Sequence, residues 1–231
     1  MQGARHGHCM RSDNMKKNTE KIIVDLIQRY PALKDIKDDI LQALNVIIGA
    51  YKCGGKLLIC GNGGSAADSL HIVGELAKAF RYKRNINSEI KKKLEEEYPE
   101  DAERFVRCLE GAMPAVSLVN EVALITAFSN DKEAVFSYAQ QVYAQGTEND
   151  ILIGISTSGN SENVVCACKI ARVKGMKVIV LTGENGGKLK TLSDVCICAP
   201  SNETYIIQEY HLPIYHALCG AIEYEFFGGD E

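Results

Sequence analysis

Two stretches of the same unusual kind occur in the chain, Cys60-Gly61-Asn62-Gly63-Gly64-Ser65-Ala66-Ala67-Asp68 and Ser156-Thr157-Ser158-Gly159-Asn160-Ser161. Each follows a short apolar run with strand character, Lys56–Cys60 and Ile151–Ile155, and each opens into a segment with helical character. A glycine- and serine-rich turn from strand to helix leaves backbone N–H groups unpaired at the positive end of the helix dipole, where a phosphate binds well. Glycine lets the backbone approach the anion closely, and serine hydroxyls add donors. Two such turns in one chain predict two walls of a single site for a phosphorylated ligand.

The strand–turn–helix rhythm runs from residue 56 to the end. Candidate strands at Lys56–Cys60, Ala115–Leu118, Ile151–Ile155, Lys177–Leu181 and Asp194–Cys198 alternate with candidate helices at Ser65–Phe80, Glu121–Phe128, Lys132–Ala144, Ser161–Lys174 and Glu203–Phe227. Short, continuously apolar strands between helices call for a parallel sheet covered on both faces. The expected fold is a three-layer α/β/α doubly wound sheet with its ligand outside the carboxyl ends of the strands.

Two helices are predicted before the first strand. Lys16–Tyr30 has Asn18 or Thr19 as cap, an apolar stripe of Ile22, Ile23, Leu26 and Ile27, and Pro31 as its stop. A second, from about Lys34 to Tyr51, carries Ile36, Ile40, Leu41, Leu44, Ile47 and Ile48 and ends at Gly54-Gly55. That is more cover than one sheet needs, which predicts packing against another subunit. Between Arg81 and Gly111 the rhythm breaks into Lys91-Lys92-Lys93, Glu95-Glu96-Glu97, Pro99 and a helical stretch near Ala102–Leu109. This reads as a charged, mostly exposed helical insertion, or as a lid or interface element, because it leaves the sheet near the first turn. The organisation expected is a disordered tail over 1–15 and one domain over 16–231 with an insertion at about 81–111.

Composition closes off several function classes. The chain has 231 residues, ordinary for one α/β domain, with 46% hydrophobic and 24% charged residues as in soluble globular proteins. A net charge of −4 gives no electrostatic reason to bind nucleic acid. No segment has the unbroken apolar length of a membrane span, and the first fifteen residues lack a signal-peptide hydrophobic region. Nine cysteines with no C-x-x-C spacing suggest neither a disulfide frame nor a zinc ribbon, so a reduced cytoplasmic setting is expected. Cys196 and Cys198 are expected on one face of a strand as small core residues. His6-Gly7-His8-Cys9 could bind a stray metal ion, but reads better as disordered tail, or as residue from an upstream start before Met15.

Ionisable residues cluster near the first turn and in the last helix. His71 and Glu75 lie four apart, hence on one helical face, one to two turns from the first turn. The last helix supplies Gln208, Glu209, His211 and His216, with Gln208 and His216 loosely on one side and Pro213 expected to bend the helix. Tyr210, Tyr215 and His211 read as packing or surface residues. Neither turn has a basic cluster or a Walker lysine, which argues against nucleotide hydrolysis and for a monophosphate held by neutral donors.

Taken together, Gly61–Asp68, His71 with Glu75, Ser129-Asn130-Asp131, Ser156–Ser161, and Ile207-Gln208-Glu209 followed by His216 resemble the sugar-isomerase (SIS) domain family and its phosphoheptose isomerase branch. The resemblance covers about residues 17–227 with a gap at the insertion. It implies a flavodoxin-type sheet and a ketose–aldose isomerase that converts sedoheptulose 7-phosphate to D-glycero-D-manno-heptose 7-phosphate, feeding activated-heptose synthesis. It further implies that Ser65, Ser156, Thr157, Ser158 and Ser161 hold the phosphate. Asn62, Gly63 and Gly64, with Asn130, Asp131 and Gln208, would contact the substrate, and Glu75 and His216 would be the acid–base pair. A zinc ion held by His71, Glu75, Gln208 and His216 is an optional cofactor by the same resemblance, a homotetramer the implied assembly, and no nucleotide cofactor is implied. Two positions depart from the family pattern: Ala79 stands where an arginine is common, and Tyr205 where an acidic residue is common.

The chemistry suits these residue types. Moving a carbonyl from C2 to C1 requires removing a proton from C1 and returning one to C2 through a cis-enediol. A carboxylate with a burial-raised pKa suits that task, and a histidine suits proton shuttling between the oxygens near pH 7. A metal bound by Glu75 and His216 would compromise their free acid–base roles and would instead polarise the carbonyl; acid–base catalysis with zinc optional is the expected reading. The competing readings are a non-catalytic SIS protein, either a sugar-phosphate sensor or a partner of the replication initiator, and a lyase or etherase acting on an amino-sugar phosphate.

Overall fold

The computed structural model describes residues 15–229. Its centre is a five-stranded, wholly parallel sheet of β1 (Leu57–Gly61), β2 (Ala115–Ser117), β3 (Ile151–Ile155), β4 (Lys177–Thr182) and β5 (Val195–Cys198), in the order β2-β1-β3-β4-β5. Every residue of β1 and β3 is buried, as their unbroken apolar runs require in a sheet covered on both sides. Alternation then divides the side chains between two cores. Leu57, Ile59, Ile153, Ile179 and Ile197 face one, and Leu58, Cys60, Leu152, Val178 and Val180 face the other.

The first core is closed by α1 (Lys17–Arg29), α2 (Lys37–Lys52), α3 (Gly64–Ala77) and α10 (Thr204–Phe227), and the second by α7 (Ser137–Gln145), α8 (Glu162–Val173) and α9 (Gly187–Leu192). α6 (Val122–Asp131) lies outside α7 and buries none of its residues, although its first seven are Val-Ala-Leu-Ile-Thr-Ala-Phe. The expected three-layer doubly wound fold is therefore present, and α9 is the element missing from the sequence reading. Six residues started by Gly186 at φ +71° are too few to display a helical period.

Several expectations change in detail. Asn18 and Thr19 do not cap α1, which starts at Lys17; Asn18 donates to the Tyr224 hydroxyl and the buried Thr19 hydroxyl donates to Glu225, so both fasten α1 to α10. α1 and α2 bury their apolar stripes within this chain, which removes them as an argument for a second subunit. Pro31 opens a 3-10 turn, Pro31–Ile36, ahead of α2. The helix expected over Lys132–Ala144 is a break at Lys132, a 3-10 turn at Ala134–Phe136 and then α7. α10 runs unbroken through Pro213. Cys196 and Cys198 share a face as expected, their sulfurs 3.4 Å apart, but on an edge strand they are half-buried rather than core residues. The tail expected over 1–15, with His6, His8 and Cys9, lies outside the described residues except for Met15, which packs on the first core.

The insertion forms a hairpin of α4 (Ser88–Glu97) and α5 (Pro99–Cys108), in which Ala102 alone is buried. Asn87 caps α4 by accepting from the N–H groups of Glu89 and Ile90, and Lys91–Glu95 and Lys92–Glu96 pair along its solvent face. Its stem is another matter. Arg84 is fully buried and bonds Glu223 of α10 at 2.7 Å, while its other nitrogens donate to the carbonyls of Leu76 and Glu75 at the end of α3.

Candidate active site at the sheet switch point

β1 and β3 are adjacent, with Gly61 paired to Ile155 at their carboxyl ends. From there the chain leaves to opposite faces, into α3 on one side and α8 on the other, which makes this the point where an open α/β sheet forms a ligand crevice. In the first turn Gly63 has φ +55° and ψ −121°, a conformation closed to side-chain-bearing residues. Gly64 admits the Gln208 amide, whose nitrogen lies 2.5 Å from where a Cβ would stand. Ser65 is buried behind them.

The second turn is built alike. Gly159 has φ +65° and packs on the backbone of Gly186, and Asn160 accepts from the Lys188 N–H at 3.0 Å, tying the turn to α9. The Ser156 and Ser161 hydroxyls are 2.9 Å apart, Thr157 is half-buried and Ser158 is exposed. Asn62 and Asn163 exchange two amide hydrogen bonds, 2.9 and 2.8 Å long, so the two turns are fastened to each other. Among the described residues the N–H groups of Gly63, Gly64, Thr157, Ser158 and Ser161 bond no protein acceptor, leaving five donors at two helix N-termini in one crevice.

Beyond the turns, α3 and α10 run side by side in the same direction. Gly64 meets Gln208, Asp68 and His71 meet Tyr215, and His71 meets His216. His71 Nε2 is 3.0 Å from Glu75 Oε1 and 3.4 Å from His216 Nε2. Ligand atoms of His71, Glu75 and His216 all lie within 4.8 Å of one another. Two imidazoles and a carboxylate that converge in this way fit a zinc ion with an open position, and the Gln208 amide of the same α10 packs over Gly64. The Glu75 side chain is 16% exposed and His71 42%, so the group is reachable from solvent. Burial holds the His216 pKa below the ordinary histidine value, the neighbouring His71 adds to the effect, and Glu75 opposes it. His216 is thus neutral near pH 7, able to accept a proton or offer a lone pair.

Not every expected residue is gathered here. Asn130 and Asp131 end α6 as exposed residues whose side chains bond each other, and α6 packs chiefly on α7 and the preceding 3-10 turn. Glu209 is exposed on α10, whereas His211 is fully buried against the Thr182 carbonyl, neither surface residue nor ligand. Two residues that contact this group carried no role in the sequence reading: Tyr215, whose hydroxyl lies 3.0 Å from His71 Nδ1, and Asp68, which accepts from that hydroxyl at 3.3 Å. Asp68 was detectable, since it lies three residues before His71 on the same helical face. Tyr215 was not, because its contact depends on how α10 is rotated against α3.

This geometry defines a parallel α/β domain with two glycine-rich turns fastened together at helix N-termini and an ionisable cluster beyond them. Residues 25–105 and 101–183 match the SIS domain family. The chain is 35% identical over 207 residues to the phosphoheptose isomerase of Akkermansia muciniphila, covering 90% of this chain and 96% of that one. It is 36% identical over 214 residues to a Helicobacter pylori phosphoheptose isomerase, covering 89% and 98%. The solved phosphoheptose isomerase of Neisseria gonorrhoeae superposes with a TM-score of 0.67 at 31% identity, covering 90% and 97%. The chain belongs to the SIS-domain family.

Proposed function

We propose that this chain interconverts sedoheptulose 7-phosphate and D-glycero-D-manno-heptose 7-phosphate through a cis-enediol. The broader class is firm: with full-length relatives of this kind it is a phosphosugar isomerase. The observation that carries the finer reading is the joining of the two turns by Asn62 and Asn163 at the head of α3, the helix whose Glu75 meets His216 of α10.

Length supports a long sugar. At about 1.5 Å per residue the Glu75 backbone lies about 16 Å along α3 from Gly64, and its side chain leans back toward the helix start by several ångström. Six C–C bonds of about 1.5 Å, zigzagging, with a phosphate ester span roughly 10 Å, enough to seat phosphate at the turns and C1–C2 near Glu75. A three-carbon sugar would fall short.

In this reading the open N–H groups and the Ser65, Ser156, Thr157, Ser158 and Ser161 hydroxyls hold the phosphate. Asn62, Gly63, Gly64 and Gln208 orient the sugar chain, joined by Asn130 and Asp131 if α6 turns toward the crevice. Glu75 takes the C1 proton and returns it to C2, while His216 moves a proton between the two oxygens. Zinc is optional in this reading: held by His71, Glu75, Gln208 and His216 it would supply polarisation of the carbonyl oxygen, and Glu75 and His216 would then no longer be free as acid and base. A homotetramer and a cytoplasmic setting belong to the same reading; the unburied apolar face of α6 is the surface such an assembly would cover. No helix among the described residues is long and apolar enough to cross a membrane.

The test is incubation with sedoheptulose 7-phosphate in deuterated water, followed by NMR. Aldose formation with deuterium uptake is expected. Binding without conversion or exchange would refute the isomerase and favour a non-catalytic sugar-phosphate binder.

A further inference from the structure

Beyond the three clustered groups, Tyr215 and Asp68 form a short chain into His71. The Tyr215 hydroxyl carries one hydrogen and has two neighbours, Asp68 Oδ1 at 3.3 Å and His71 Nδ1 at 3.0 Å. Asp68 Oδ2 is buried without a partner, and among the described residues Tyr215 is the one donor to this side chain. Were the hydroxyl to donate to His71, the carboxylate would face a phenol oxygen with no donor at all, an arrangement buried acceptors avoid. The Tyr215 hydroxyl therefore donates to Asp68, and the phenol oxygen accepts from His71 Nδ1–H. A neutral imidazole carries one hydrogen, so Nε2 is left with a lone pair aimed at Glu75 Oε1 and His216 Nε2. A cation placed between that lone pair and the Glu75 carboxylate oxygen 3.0 Å away is attracted by both.

We propose that Asp68 and Tyr215 are positioning residues that hold His71 with its hydrogen on Nδ1, so that Nε2, Glu75 and His216 are presented together to a divalent cation of the zinc type. The inference rests on reading these three residues as the chemical centre of the site. It makes the cation site a built one, because an outer partner on the far nitrogen is how proteins fix a ligating imidazole. The ring packing agrees: Tyr215 contacts His71 and His216 edge-on, with centroids 5.5 and 5.0 Å apart, so the same phenol fixes both imidazole planes.

The experiment has two readouts on the full-length, metal-free chain. Long-range 1H–15N spectra of its five histidines, assigned with single variants, report which His71 nitrogen carries the hydrogen. Competition against a chromophoric chelator gives zinc affinity. Hydrogen on Nδ1 is expected in the wild type, and Tyr215→Phe and Asp68→Ala should each weaken zinc binding about 10- to 100-fold. Hydrogen on Nε2 in the wild type, no zinc binding by the wild type, or affinities unchanged in the folded variants would each overturn the proposal. Should neither variant fold, the wild-type spectrum decides. Zinc binding with the expected tautomer but no sugar conversion would instead count against the isomerase reading and leave this one standing.

Discussion

Glu223 offers the sharpest test of how the site is held together. Its carboxylate is fully buried and accepts four hydrogen bonds, from the N–H groups of Phe80, Arg81 and Tyr82 and from Arg84 Nε, at 2.7, 2.7, 3.2 and 2.7 Å. Glu223→Gln removes the charge, turns an NH2 group toward two of the four donors, and leaves the buried Arg84 guanidinium without a counter-ion. Breaking one side of a fully buried pair costs about 3–5 kcal/mol. At roughly 2–4 °C per kcal/mol for a chain of this size, the melting temperature should fall by roughly 6–20 °C. Urea denaturation of wild type and variant, analysed with a common m-value, measures the loss directly. Glu223 is two helical turns beyond His216, and Arg84 holds the carbonyl of Glu75 itself, so the pair fixes α10 against α3 at the depth of the ionisable cluster. A loss under about 1 kcal/mol would refute the reasoning, since it would mean that water reaches the pair or that the neighbouring amides find other acceptors.

Three further outcomes are expected. Glu75→Gln should bind sedoheptulose 7-phosphate with affinity close to wild type yet lose about 10²–10⁴-fold in turnover, read by NMR; normal turnover would remove Glu75 as the base. Gly159→Ala should raise KM for the sugar phosphate several-fold and lower the melting temperature, because a side chain at φ +65° costs about 1–3 kcal/mol and this one would press on the Gly186 carbonyl; kinetics alongside calorimetry check both. His211 is held neutral by burial, its pKa pushed down to about 4 from the ordinary 6.5. The unfolded chain takes up that proton first, so stability is full above pH 6.5 and falls as pH drops toward 4, by on the order of 3 kcal/mol; His211→Gln should flatten that part of the urea-stability profile.

What the sequence determined by itself was everything that repeats locally. Short apolar runs such as Ile151–Ile155, recurring between helical segments and each followed by a Gly/Ser turn, read as strands covered on both faces, and the structure bears that out. The pairing of His71 with Glu75 follows from helical geometry alone. What only the tertiary structure decided were the relations between distant segments. Arg84 looked like one more charge in a polar insertion, and its burial against Glu223 depends on the stem passing between α3 and α10. Asn62 and Asn163 lie 101 residues apart and meet because β1 and β3 are neighbours, a fact of strand order that no local period encodes. Tyr215 passed as packing for the same reason. A residue's own neighbours in sequence set its conformation, but its partners across the fold set its chemistry, since hydrogen bonds and charges act over a few ångström of space whatever the chain distance between them.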